Sequence, residues 1–149
     1  MTNREHTQPA ANQGAEPIRT LIVDDSPRWM EPLCAFLANE PALVIAGTAR
    51  DGLEALGQVV TLRPALVVLD VRMPRMNGLE AAALIRARFP EVRILMMSLD
   101  DDAGTREACF AHGAHAFVAK SKGAAELVPA IFRLFNMDGG TAQTAPGAA

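Results

Sequence analysis

Several strand-like runs in this chain end in side chains that do chemistry. Asp24 and Asp25 follow residues 18–23, Asp70 follows 65–69, Ser98 follows 92–97 and Lys120 follows 115–119. Asp70 sets the pattern. Ala65-Leu66-Val67-Val68-Leu69 runs from Pro64 straight into the carboxylate, and Pro74 and Asn77-Gly78 punctuate the loop beyond. A short unbroken apolar run after a proline reads as a strand buried on both faces. A carboxylate at its end is held at the rim of the sheet, where open α/β sheets carry their chemistry. If the runs lie parallel, their ends share one edge and these side chains meet. Three carboxylates so gathered raise one another's pKa unless something positive sits among them. A hard divalent cation with oxygen ligands, Mg²⁺ or Mn²⁺, answers that, and Lys120 adds a second positive charge. A nucleophilic carboxylate, a metal ion, an ammonium and a hydroxyl are the parts of a phosphoryl-transfer site. Transfer to a carboxylate yields an acyl phosphate.

The elements that must position these groups alternate. Residues 18–23 form a first strand. Ser26-Pro27 starts a helix, with Ser as cap and Pro in the first turn. Trp29, Leu33, Phe36 and Leu37 give that helix its apolar face. Residues 42–46 form a second strand, and Asp51-Gly52 opens a helix with Leu53, Leu56 and Val60 inward. The third strand, 65–69, leads to a helix opened by Asn77 or Gly78, with Ala81, Ala82, Ile85 and Phe89 inward. The fourth strand, 92–97, precedes a helix over 101–112 closed by Gly113. Gly104, Thr105 and a shortage of apolar anchors predict that this fourth helix is mobile. The fifth strand, 115–119, leads to a helix over 123–135 with Leu127, Ile131 and Leu134 inward. Pro129 predicts a kink there, or a start delayed to about Glu126. Five β-α units predict a parallel sheet with helices on both faces.

The bulk composition is compatible with one α/β domain. The chain has 149 residues, half of them apolar, with 14 basic against 17 acidic residues and a net charge of −3. That balance argues against direct nucleic-acid binding or an anionic-membrane surface. No apolar run is long enough to span a membrane and no secretory signal opens the chain, so a cytoplasmic location is expected. Cys34 and Cys109 fall in helical patterns and read as buried, reduced thiols. Residues 1–17 read as a disordered leader and 138–149 as a disordered tail. Residues 18–137 remain as the folded domain.

Taken in order, Leu21-Ile22-Val23-Asp24-Asp25-Ser26-Pro27, Leu69-Asp70-Val71-Arg72-Met73-Pro74 with Asn77-Gly78, Met97-Ser98, and Phe117-Val118-Ala119-Lys120 resemble the receiver domain of two-component response regulators. The resemblance covers about residues 18–136. It implies a flavodoxin-like, doubly wound (βα)5 three-layer sandwich with strand order 2-1-3-4-5. It implies that Asp70 is the phospho-acceptor, that Asp25 and Asp70 ligate Mg²⁺, that Asp24 contributes through water, and that the Arg72 backbone carbonyl completes the set. Ser98 would bind a phosphoryl oxygen, Lys120 would pair with the phosphoryl group or Asp70, and Phe117 holds the place of the switch aromatic. The implied partners are a sensor histidine kinase or histidine phosphotransfer protein and a downstream protein bound through the fourth helix, fifth strand and fifth helix. A homodimer is a further output that the family uses.

Some positions depart from the commonest pattern. Leu99 follows Ser98 where many relatives have Ala or Gly, and its bulk narrows the path to Asp70. Ser121 follows Lys120 where many have Pro, which disfavours a cis peptide. Arg72 and Asp100 flank the acceptor and can pair across the site entrance. Such an exposed pair is weak, so it reads as a gate on hydrolysis. Leu99, Arg72 and Asp100 are thus expected modulators. Trp29, one turn past Asp25, is placed on the core or rim of its helix, where it can sense the metal. His112, His115 and Asp101-Asp102 read as surface or capping groups. The other readings are a receiver within a longer DNA-binding regulator, an aspartate-nucleophile phosphohydrolase, and a flavin or nucleotide binder. Arg72 stands where the phosphohydrolase needs its second carboxylate. The acidic, glycine-free first β-α turn is wrong for the nucleotide binder.

Overall fold

The computed structural model describes residues 16–137. The expected leader and tail lie outside the described residues, apart from Glu16 and Pro17. Strands and helices alternate as β1 (Ile18–Val23), α1 (Pro27–Ala38), β2 (Leu43–Ala49), α2 (Gly52–Leu62), β3 (Leu66–Asp70), α3 (Gly78–Arg88), β4 (Arg93–Ser98), α4 (Ala103–Ala111), β5 (Ala116–Ala119) and α5 (Gly123–Leu134). A 3₁₀ turn, Lys120–Lys122, which the sequence pattern did not signal, joins β5 to α5. All strand pairs are parallel, in the order β2-β1-β3-β4-β5. This is the flavodoxin-like sheet that the motifs implied.

Strand periodicity divides the core in two. Leu21, Val23, Val67, Leu69, Ile94 and Met96 face α2, α3 and α4, where Ala55, Val59, Ala81, Ile85 and Cys109 meet them. Ile22, Leu66, Val68, Leu95 and Met97 face α1 and α5, where Leu37, Leu127 and Ile131 meet them. Each large side chain so buried contributes about 1.5–3 kcal/mol. The sheet separates the two cysteines, and both thiols are free.

Two helix faces differ from expectation. In α1 the inward set is Met30, Leu33, Cys34 and Leu37, and Phe36 is exposed. In α2 the inward set is Ala55, Leu56, Val59 and Leu62, while Leu53 and Val60 are exposed. Small residues drive that choice. Gly52 donates its N–H to the Met76 carbonyl at 2.9 Å, and this close approach turns Ala55 rather than Leu53 to the sheet. Leu53 and Val60 are the larger hydrophobes, so counting size picked the wrong face. β2 runs three residues further than expected, to Ala49, along β1.

Pro129 does not delay α5, which begins at Gly123, and Pro32 lies inside α1. Each proline frees the carbonyl four residues earlier. Those carbonyls belong to Ala125 and Arg28, both exposed residues, so water can satisfy them and the helices continue.

Candidate functional site

The register of the sheet sets the site. Val23 pairs with Leu69, Asp70 with Met97, and Ser98 with Ala119. Asp24 therefore stands level with Asp70, one step beyond that pair. Lys120 stands one step beyond Ala119, as the first residue of the 3₁₀ turn rather than the end of a strand. All of β3 is buried, and Asp70 is only 7% exposed.

Asp24, Asp25 and Asp70 each offer a carboxylate oxygen, and these lie within 4.8 Å of one another. Asp25 is exposed and Asp24 is buried. Lys120 Nζ donates to Asp24 Oδ2 at 2.8 Å and to Asp70 Oδ1 at 3.2 Å. Asp24 Oδ1 accepts the Ser26 N–H at 2.9 Å, which ties the same carboxylate to the start of α1. Burial pushes the pKa of Asp70 up to about 6, helped by the charge of Asp24 and opposed by Lys120. The three carboxylates and one ammonium leave a surplus of negative charge, the donor set a hard divalent cation takes.

A cleft of about 480 Å³ opens over this cluster, walled by Asp25, Ser26, Arg28, Trp29, Arg72, Ser98 and Leu99. Ser98 is buried and its Oγ accepts the Asp100 N–H at 3.0 Å, leaving its own proton to donate elsewhere. Leu99 is 67% exposed and stands at the rim. Arg72, on the wall of the cleft, pairs with Asp100 at 2.6 Å. Phe117 does not line the cleft. It is buried on the α4 side of the sheet, with the Arg106 guanidinium 4.8 Å from its ring centroid. Arg106 is itself held by Asp101 at 2.9 Å.

Other residues lie against the site or brace the elements around it. Trp29 lies with its ring centroid 4.9 Å from Lys120 Nζ. The loop after Asp70 is tied down at both ends. The Gly78 N–H donates to the Val71 carbonyl at 2.8 Å, and Arg75 pairs with the Asp51 carboxylate. Asp51 also caps α2 by accepting the Glu54 N–H at 2.9 Å. That backbone bond, and then Arg75, hold its pKa below the usual carboxylate value. Asp51 was visible as a helix opener, but its partner 24 residues later was not. His115 sits away from the cleft, its Nδ1 against the Ile94 N–H at 3.0 Å. Asp102 caps α4 by accepting the Thr105 N–H.

Known proteins share this fold. Residues 20–132 match the response regulator receiver domain family. The chain is 43% identical over 108 residues to a protein-glutamate methylesterase/protein-glutamine glutaminase of Geobacillus kaustophilus, a match covering 71% of this chain and 31% of that protein. It thus spans about a third of the length of such curated relatives. The response regulator domain of Thermotoga maritima CheB superposes with a TM-score of 0.75 at 31% identity, covering 83% of this chain and 99% of that one. A chain of the CheX–CheY–BeF3–Mg complex from Borrelia burgdorferi gives 0.75 at 28% identity, covering 80% and 90%. The family match over most of the chain, on a sheet of the same order, establishes that this protein belongs to the response regulator receiver domain family.

Proposed function

We propose that this receiver is a phosphorylation-controlled switch in which Asp70 accepts a phosphoryl group from a histidine kinase or histidine phosphotransfer protein in the cytoplasm. The observation that carries this reading is the meeting of three carboxylates within 4.8 Å with a buried ammonium on two of them. Asp25, Asp70 and the Arg72 carbonyl would hold Mg²⁺ or Mn²⁺, with Asp24 acting through water. The ion, when bound, neutralises charge that gathers on the phosphoryl oxygens. Without a cation, burial and the Asp24 charge hold the Asp70 carboxyl at a pKa of about 6, and a bound divalent ion would favour the carboxylate form that attacks. Its oxygen attacks phosphorus, the bond from phosphorus to the donor breaks, and the electron pair leaves with the donor. Lys120 redirects an N–H hydrogen bond from Asp70 to a phosphoryl oxygen, and the Ser98 hydroxyl donates to another.

The same contacts explain how a partner is informed. Ser98 Oγ is bonded to the Asp100 N–H, so moving Ser98 toward a phosphoryl group pulls the loop that leads into α4. Phe117, buried on the α4 side of the sheet under the Arg106 guanidinium, would fill space as that loop shifts. The surface of α4, β5 and α5, which exposes Phe110 and Arg106, is then the output face. A phosphoryl group stabilises the rearranged state only by contacts it makes better there.

Arg72 and Asp100 cover the entrance, so they set how readily water reaches the acyl phosphate. Arg72→Ala is expected to shorten or lengthen the phosphorylated half-life by more than about twofold. Because the pair is exposed, the melting temperature should shift by less than about 2 °C. Measuring both, and finding only stability altered, rejects the gate.

One observation favours a second reading. The curated relatives are longer than the matched region, and the chain is 32% identical to 53% of the transcriptional regulatory protein MctR of Rhizobium johnstonii. On that reading the switch controls a covalently joined output domain. Reading the gene on both sides of this frame decides between them. The phosphoryl-acceptor reading itself is tested by mass: phosphoramidate with Mg²⁺ should add one phosphoryl group, and a chelator should prevent it.

A further inference from the structure

Lys120 carries three N–H donors. Asp24 and Asp70 take two of them at 2.8 and 3.2 Å, and the Trp29 ring covers a further side at 4.9 Å. The Lys120 side chain is left 5% exposed although it borders an open cleft. Trp29 reaches it because α1 begins immediately after Ser26, whose N–H is bonded to Asp24 Oδ1. Asp24 therefore anchors both the helix that carries the ring and the ammonium that the ring faces. Trp29 itself packs into neither core cluster, whereas its neighbour Met30 packs against the α1 side of the sheet. A tryptophan spent on filling the core would show the reverse.

We propose that Trp29 is a positioning residue for phosphoryl transfer: its ring holds the Lys120 ammonium beside Asp70 and keeps water from it, so that the ammonium is delivered to the incoming phosphoryl group. The inference rests on Asp70 being the acceptor. An aromatic face suits the task better than a fourth carboxylate. A carboxylate would add charge to a cluster already rich in it and would compete with the phosphoryl oxygens for the ammonium. The ring quadrupole attracts a cation without carrying net charge, and most strongly where water is excluded. The ammonium can turn from Asp70 to a phosphoryl oxygen while keeping its ring contact.

The test compares the whole chain as wild type, Trp29→Phe and Trp29→Leu. Uptake of phosphoryl from phosphoramidate with Mg²⁺ is followed by intact mass, and the Lys120 ε-methylene protons by NMR. Trp29→Leu should be labelled about tenfold more slowly, and Trp29→Phe within about threefold of wild type, because phenylalanine keeps a weaker face. The upfield ring-current shift of the Lys120 protons should survive in Trp29→Phe and vanish in Trp29→Leu. Labelling of Trp29→Leu at the wild-type rate overturns the inference. So does a Trp29→Phe variant as slow as Trp29→Leu, since that would make bulk, not the π face, the requirement. Wild type that takes up no phosphoryl group overturns the acceptor reading and this inference with it. A labelled wild type beside an equally labelled Trp29→Leu overturns this inference alone.

Discussion

Asp70→Asn is expected to make the metal-free protein more stable at neutral pH, by about 1–2 kcal/mol or about 5 °C in melting temperature. The reason is the cost of an ionised Asp70 in its place. Burial and the neighbouring Asp24 raise its pKa from 3.8 to about 6. Between those values the folded protein holds a proton that the unfolded chain has lost. Stability therefore falls as pH rises through that window and stays lower above it. A shift of that size corresponds to about 3 kcal/mol, and water in the open cleft reduces it. The variant carries no proton there to lose, so it escapes the fall. His115 has the opposite slope, because burial and Arg86 hold its pKa below 6.5. It is the same in both proteins and cancels in their difference. The check is thermal unfolding of both in chelator from about pH 4 to about pH 7. A difference that grows across the window is predicted. A constant difference, or a less stable variant at neutral pH, contradicts the electrostatic account.

Gly78→Ala is expected to destabilise the fold by about 2–4 kcal/mol and to abolish phosphoryl uptake with it. A Cβ at Gly78 would overlap the Asp70 carbonyl oxygen, lie 2.9 Å from the Asp70 carbonyl carbon and 3.0 Å from Met96 Cε. Backbone cannot yield as a side-chain end can, so the strand or α3 must move. The Gly78 N–H also closes the loop onto Val71. Gly57→Ala is the natural control. Nothing lies within 4 Å of a Cβ there, it sits inside α2, and alanine should add about 0.5–1 kcal/mol. Denaturant unfolding of the two variants measures both signs. If Gly78→Ala folds as well as Gly57→Ala, the close packing behind Asp70 is not what shapes the site.

The strand-ending residues were legible because each closes a short apolar run, and a parallel sheet must bring such ends to one edge. Asp24, Asp70, Ser98 and Lys120 needed no more than that. The helix faces were less legible. Leu53, Val60 and Phe36 are large and apolar, yet the packing distance at Gly52 and the phase of α1 turn smaller residues inward. Pro129 does not delay α5 for a related reason: whether a proline interrupts a helix depends on whether water reaches the carbonyl it frees. The remaining gaps are long-range pairs. Asp51 with Arg75, Arg106 with Phe117 and Lys120 with Trp29 join residues that only the folded chain brings together. No local pattern announces them, although Trp29 one turn past Asp25 was already marked for its nearness to the site.

Intact mass spectrometry after incubation with phosphoramidate and Mg²⁺ tests the central claim most directly. Wild type should gain one phosphoryl group, lose it again with time, and gain none in chelator, while Asp70→Asn should gain none under any of these conditions. A phosphoryl group that appears on Asp70→Asn as readily as on wild type would contradict the assignment of Asp70 as the acceptor.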